Sequence, residues 1–166
     1  VEITANGGQA SDRIDNAGSI TAPTSPYAFG AVSLNAGTFT DIVNSGTIDG
    51  DTIVGVSLLN VLSESFENSG LISGQMGMML LTFGEPATVI DLLHNGVDGT
   101  ITGEQMGLLV TGSSIGQLSN EGVISGTGDT PLLASLSAIT LPEALAGLNG
   151  NAAMVVAGST IGTLDN

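Results

Sequence analysis

The sequence contains no cysteine, no lysine, a single arginine (Arg13) and a single histidine (His94). Without cysteine there is no disulfide framework, no zinc-thiolate site and no thiol nucleophile. One arginine cannot form the cluster of cations that neutralises phosphates, so nucleic acid and acidic lipid headgroups are excluded as partners. The 16 acidic residues reinforce this, because a net charge of −15 repels both. No apolar run approaches the length of a membrane span, and no basic-then-apolar leader follows Val1. We therefore expect no membrane insertion, and the chain reads as mature, trimmed or excerpted from a longer protein.

Charge is also sparse. Only 10% of the 166 residues are charged while 42% are apolar, which separates this chain from acidic disordered tails and predicts a folded domain with a continuous core. The 25 glycines lack the period of three of collagen and recur at fixed offsets from other residues. Such offsets point to turns repeated in a regular architecture, so internal repeats are the feature to seek.

The repeat is Asn-x-Gly-x-Ile. It occurs as Asn16-Ala17-Gly18-Ser19-Ile20, Asn44-Ser45-Gly46-Thr47-Ile48, Asn68-Ser69-Gly70-Leu71-Ile72 and Asn120-Glu121-Gly122-Val123-Ile124. A further copy from Asn95 to Ile101 carries two extra residues, and another begins at Asn166. The matching glycines, Gly18, Gly46, Gly70, Gly99 and Gly122, are 28, 24, 29 and 23 residues apart, the spacing of solenoid repeats. Two residues before each Asn stands an apolar side chain: Ile14, Ile42, Phe66, Leu93, Leu118 or Leu164. The longest internal match aligns Leu108–Asn120 with Met154–Asn166.

Within a repeat, short alternating segments such as Asp41–Asn44, Thr47–Asp49 and Val56–Leu59 are bounded by Gly, Asn, Asp or Ser, which predicts brief strands and tight turns. A strand of about four residues cannot bury its apolar face alone, but coils stacked at about 4.8 Å pair each strand with its counterpart. The expected fold is all-β: a parallel β-helix of about six coils, each of three short strands, in a single domain over residues 1–166. Parallel crossovers are right-handed in about 98% of cases, which predicts a right-handed coil.

The columns then acquire roles. Ile20, Ile48, Ile72, Ile101 and Ile124 are expected to stack as an interior aliphatic ladder. Asn16, Asn44, Asn68, Asn120 and Asn166 are expected to stack at a turn, each amide satisfied by its neighbours or by turn backbone. The box glycines provide either positive φ or close backbone approach. Asp15, Val43, Glu67, His94, Ser119 and Asp165 form an outward column in which no two acids fall on adjacent coils.

Residues 130–150 break the template. The step from Asn120 to Asn166 is 46 residues, which is either one coil with an excursion or two coils of which one has lost its box; the excursion is preferred. Thr130-Pro131 suits a helix start, and Leu132, Leu133, Leu136 and Ile139 have helical spacing, so a partly helical insertion is expected. It either lies on the solenoid and buries its leucines or forms a flap for a partner.

Chemistry finds little support. Polysaccharide lyases need Arg or Lys beside a uronate carboxylate, and Arg13 is the one candidate. Hydrolases need two carboxylates facing each other, but pairs such as Asp12/Asp15, Asp49/Asp51 and Glu64/Glu67 arise by chance among 16 acids. No phosphate-binding loop with Gly-Lys-Ser or Gly-Lys-Thr occurs. No catalytic residue, cofactor or metal site is expected. Weak calcium binding at the acidic turns Asp49–Asp51, Asn95–Gly99 and Gly126–Asp129 is the alternative to simple solvation.

A repeat reading Ile42-Val43-Asn44-Ser45-Gly46-Thr47-Ile48-Asp49-Gly50 resembles those of autotransporter passenger domains, and the likeness covers nearly the whole chain except 129–151. The resemblance implies a right-handed β-helical stalk exported to the surface of a Gram-negative bacterium, acting as an adhesin or displaying inserted domains. On this reading the chain is a non-catalytic stalk or adhesin-like segment whose partners are host or matrix glycans or proteins. A carbohydrate-active β-helix and a surface filament or layer subunit assembling end to end are the alternatives.

Overall fold

A computed structural model describes residues 2–3, 12–22, 29–127 and 152–166. These residues form thirteen strands and no helix. In chain order the strands are β1 (Glu2–Ile3), β2 (Asp12–Asn16), β3 (Ser19–Thr21), β4 (Gly30–Asn44), β5 (Thr47–Asp49), β6 (Val54–Asn68), β7 (Leu71–Leu81), β8 (Val89–Asn95), β9 (Thr100–Thr111), β10 (Ser114–Asn120), β11 (Val123–Gly126), β12 (Ala152–Ala157) and β13 (Thr160–Asp165). Their pairings are parallel, and each strand pairs with its counterpart one coil away. The chain is a three-sided β-solenoid.

The first sheet follows the box and stacks β3, β5, the start of β7, the start of β9 and β11. The second stacks β1, the first halves of β4 and β6, the later parts of β7 and β9, and β12. The third leads into the box and stacks β2, the second halves of β4 and β6, β8, β10 and β13. Branched and long aliphatic side chains from all three meet in one interior cluster that includes Leu34, Ile48, Leu58, Phe66, Ile72 and Ile101.

Two expectations change. The solenoid makes about four turns instead of about six. Six asparagines do not make six coils: consecutive asparagines bound a turn between them, and the uninterrupted winding runs from residue 29 to 127. The strands are also longer than four residues, reaching 15 in β4 and β6. The reason lies at the corner between the second and third sheets, where one residue in the left-handed region, Ala36 (φ 54°) or Asn60 (φ 53°), turns the chain without interrupting the ladder. Gly112 (φ 62°) and Gly158 (φ 58°) occupy this corner in later coils. The expected insertion at 130–150 lies outside the described residues.

At the same corner, β7 is followed by a longer connection, Thr82 to Thr88, before β8. It is held at its base: the Asn60 side chain donates to the Phe83 carbonyl at 3.0 Å and accepts from the Phe83 amide at 3.0 Å. An amide side chain thus supplies the pairing that a strand would have given.

Candidate functional site

The box turn is where recurrent polar chemistry concentrates. Asn16 Nδ2 donates to Asn44 Oδ1 at 2.7 Å, Asn44 to Asn68 at 2.8 Å and Asn68 to Asn95 at 2.7 Å. The series continues from Asn95 to Asn120 at 2.8 Å and from Asn120 to Asn166 at 2.6 Å. Each donating amide also reaches a carbonyl of its own turn, as Asn68 does to Gly70 at 3.1 Å. Asn44, Asn68 and Asn95 are almost fully buried, so these polar groups depend on one another for partners. The ladder includes Asn95, which the ungapped form of the motif omits.

Asn95 keeps its place although two extra residues follow it. Gly96 N donates to the Asn68 carbonyl, Gly99 N closes a tight turn onto the Gly96 carbonyl at 2.7 Å, and Thr100 N returns to the Gly70 carbonyl at 2.8 Å. The surplus is extruded with Val97 exposed, and the register is restored at Thr100.

The box glycines answer to close approach, not to backbone conformation. A Cβ on Gly46 would strike the Gly18 carbonyl oxygen, one on Gly70 the Gly46 carbonyl, and one on Gly122 the Gly99 carbonyl. A second glycine column, Gly55, Gly77 and Gly107, sits where the first sheet meets the second. A Cβ there would come within 2.9, 2.9 and 2.8 Å of the Cγ2 of Ile72, Ile101 and Ile124 respectively. These glycines give the isoleucine ladder room.

That ladder runs Ile20, Ile48, Ile72, Ile101, Ile124 in register. Ile48, Ile72 and Ile101 are buried in the central core, while Ile20 and Ile124 are partly buried and pack against it. Ile42, Phe66, Leu93 and Leu118 form the matching inward column of the third sheet.

Outward polar groups mostly serve neighbouring coils. Ser65 Oγ donates to Asp41 Oδ1 at 2.9 Å, Ser73 Oγ to Asp49 Oδ1 at 3.1 Å, and Gln117 Nε2 to Asp165 Oδ2 at 3.1 Å. Arg13 pairs with exposed Asp15 at 3.2 Å, a contact worth little in water. His94 lies in register between Glu67 and Ser119. Asp49 also accepts from the Asp51 amide at 3.0 Å, which commits one oxygen of that acidic turn.

Among the described residues no group of three or more His, Cys, Asp or Glu side chains could hold a metal ion. Of the three acidic turns, the one at Gly126–Asp129 extends outside the described residues. No described helix is long and apolar enough to cross a membrane.

One feature escapes the motif. Over β7 and β9 the outer face of the second sheet is apolar and as buried as its inner face. Met78, Leu80, Leu108 and Val110 point into the central core, whereas Met76, Met79, Leu81, Met106 and Leu109 form a separate cluster. The signal was present as unbroken apolar runs, Met78 to Leu81 and Leu108 to Val110, the pattern of strands covered on both sides. Comparison with protein-family models, with curated proteins and with solved structures finds no match.

Proposed function

We propose that this chain is a non-catalytic stalk or adhesin-like segment of a bacterial surface or secreted protein, a right-handed β-helix of the autotransporter passenger type. The observation that supports this reading is the continuity of the asparagine ladder from Asn16 to Asn166. An uninterrupted line of amide bonds along the stacking direction, beside an uninterrupted aliphatic column, resists bending and fraying without any group being reserved for chemistry. Sheets whose polar side chains clasp the adjacent coil, as Asp41 and Ser65 do, favour a scaffold over a cleft. Function in such a scaffold lies in the outward positions and in whatever the connections display.

The test is a paired assay on the purified chain. Polysaccharide panels are scored for cleavage, and immobilised glycans and host matrix proteins for binding. The expected result is saturable binding to a glycan or matrix protein with no depolymerisation. Release of oligosaccharides would overturn the non-catalytic reading, and absence of binding throughout would remove adhesion and leave a spacer. Surface exposure is checked separately: on intact cells of the source bacterium, external protease should cleave the chain, and full protection would count against the surface assignment.

A further inference from the structure

Asn95-Gly96 is the one Asn-Gly bond among the described residues. The other ladder asparagines with a following residue precede Ala17, Ser45, Ser69 and Glu121. An Asn-Gly bond is chemically labile, because glycine leaves its own amide nitrogen without steric cover and free to swing onto the preceding side-chain carbon. Nothing in the fold demands glycine here. A Cβ on Gly96 would meet nothing nearer than His94 Nε2 at 3.5 Å, an ordinary contact, and its φ lies outside the left-handed region. Its amide donates to the Asn68 carbonyl at 2.8 Å, as those of Ser45 and Ser69 donate to Asn16 and Asn44.

We propose that Asn95-Gly96 is a latent self-modification site, held shut by the asparagine ladder and released when the coil opens. The Gly96 nitrogen bonds to Asn95 Cγ, the Cγ–Nδ2 bond breaks, and Nδ2 leaves as ammonia with the Gly96 amide proton. Water then opens the cyclic imide to an aspartate or to its β-linked isomer, with no oxidation or reduction. The folded chain opposes each requirement. The Gly96 proton is committed to the Asn68 carbonyl, and Asn95 is fully buried. Asn95 Oδ1 accepts from Asn68 Nδ2 at 2.7 Å, while its Nδ2 reaches Asn120 Oδ1 at 2.8 Å and the Gly99 and Val123 carbonyls at 3.2 Å each. The product cannot retake the rung. A carboxylate has no hydrogen to give these three acceptors, and its charge would be buried among them. The β-linked isomer also lengthens the main chain between β8 and β9. Opening of this coil therefore becomes irreversible, a property beyond that of a passive stalk.

The test compares the parent chain with Gly96→Ser, which carries the residue found at this place in the two preceding coils. Both are held at mildly alkaline pH, folded or in urea, and peptic peptides are read by mass spectrometry for exchange of amide for carboxyl. Asn6-Gly7 and Asn149-Gly150, the same dipeptide outside the described residues, are read as separate peptides. Asn95 of the parent should convert at least about tenfold faster in urea than in the folded chain, where reaction must wait for local opening. Asn44 and Asn68 should stay largely intact in both conditions. Gly96→Ser should keep the parent's melting point and convert little at Asn95. After urea is removed, the aged parent should regain less β-sheet signal than the aged variant, whose Asn6 and Asn149 have aged equally. Equal rates at Asn95 in the folded and unfolded parent would overturn the proposal, as would Asn68 converting as fast as Asn95 in urea. Equal recovery of the two aged chains would also overturn it. Should Gly96→Ser melt below the parent, the parent's own rates at Asn95 and Asn68 decide.

Discussion

Asn68 donates to Asn95 at 2.7 Å across two turns of unequal length. The box after Asn68 closes in the ordinary way, whereas the one after Asn95 carries Val97 and Asp98 as surplus, yet both amides remain buried and aligned. The amide ladder thus fixes the register at the turn, and the loop adapts to it. An unpaired amide in this position would cost more than a distorted loop, so the surplus is pushed into solvent.

Removal of one rung tests this ordering. Asn68→Ala leaves the Asn44 donor and the Asn95 acceptor without their side-chain partner, and we expect a loss of about 1–3 kcal/mol in stability. In the same chain, Asn166→Ala removes only an exposed acceptor of the Asn120 amide and should be nearly neutral. Urea denaturation of both variants measures the difference, and equal effects would mean that burial of the ladder contributes nothing.

The aliphatic column gives a graded prediction. Ile101→Ala removes a fully buried side chain and should cost about 2–5 kcal/mol, and the half-buried Ile124→Ala less. Ile48→Asp brings an unpaired charge into the same column and should unfold or fray the coil at ambient temperature. Circular dichroism melts report all three. An Ile48→Asp protein with the parent melting point would refute the inward assignment.

Two kinds of glycine should respond differently to alanine. Gly46→Ala places a methyl group against the Gly18 backbone, which cannot yield without parting two coils. Gly112→Ala meets only Thr82, its Cβ at 3.5 Å and its carbonyl oxygen at 3.8 Å, but must hold φ at +62°, a cost of about 1–2 kcal/mol for an L side chain. Thermal unfolding should therefore place Gly46→Ala well below Gly112→Ala, and the reverse order would mean that the box is held by backbone conformation.

The outward column before the asparagines predicts a salt effect. Val43 separates Asp15 from Glu67 in register, so Val43→Asp stacks three acids on consecutive coils. We expect about 0.2–1 kcal/mol of destabilisation per like-charged contact at low ionic strength. Added salt should recover part of it, because exposed charges are screened over about 10 Å at 0.1 M. Val43→Asn supplies the uncharged control, and identical salt responses in the two variants would remove repulsion as the cause.

Much of this architecture was legible in the chain because a solenoid repeats its constraints. Each coil must place an aliphatic side chain over the one beneath it, so Ile20, Ile48, Ile72, Ile101 and Ile124 recur at the same offset from Asn-x-Gly and betray the stack. The choice between positive φ and close approach for the box glycines was not legible, because either demand yields glycine. Only the position of the Gly18 carbonyl beside Gly46 decides it.

The sequence by itself determined the coil: which residues turn, which fill the core, and that strands pair with their own repeats. The tertiary structure decided three further matters. It admitted Asn95 to the ladder, because hydrogen-bond satisfaction across coils tolerates extra residues that a linear motif does not. It joined short segments into strands of 15 residues, because one left-handed residue at Ala36 or Asn60 bends a ladder without breaking it. It also separated Met78 from Met79, neighbours in the chain that belong to opposite faces of one sheet, because burial depends on what packs against each face, and that is a property of the folded chain alone.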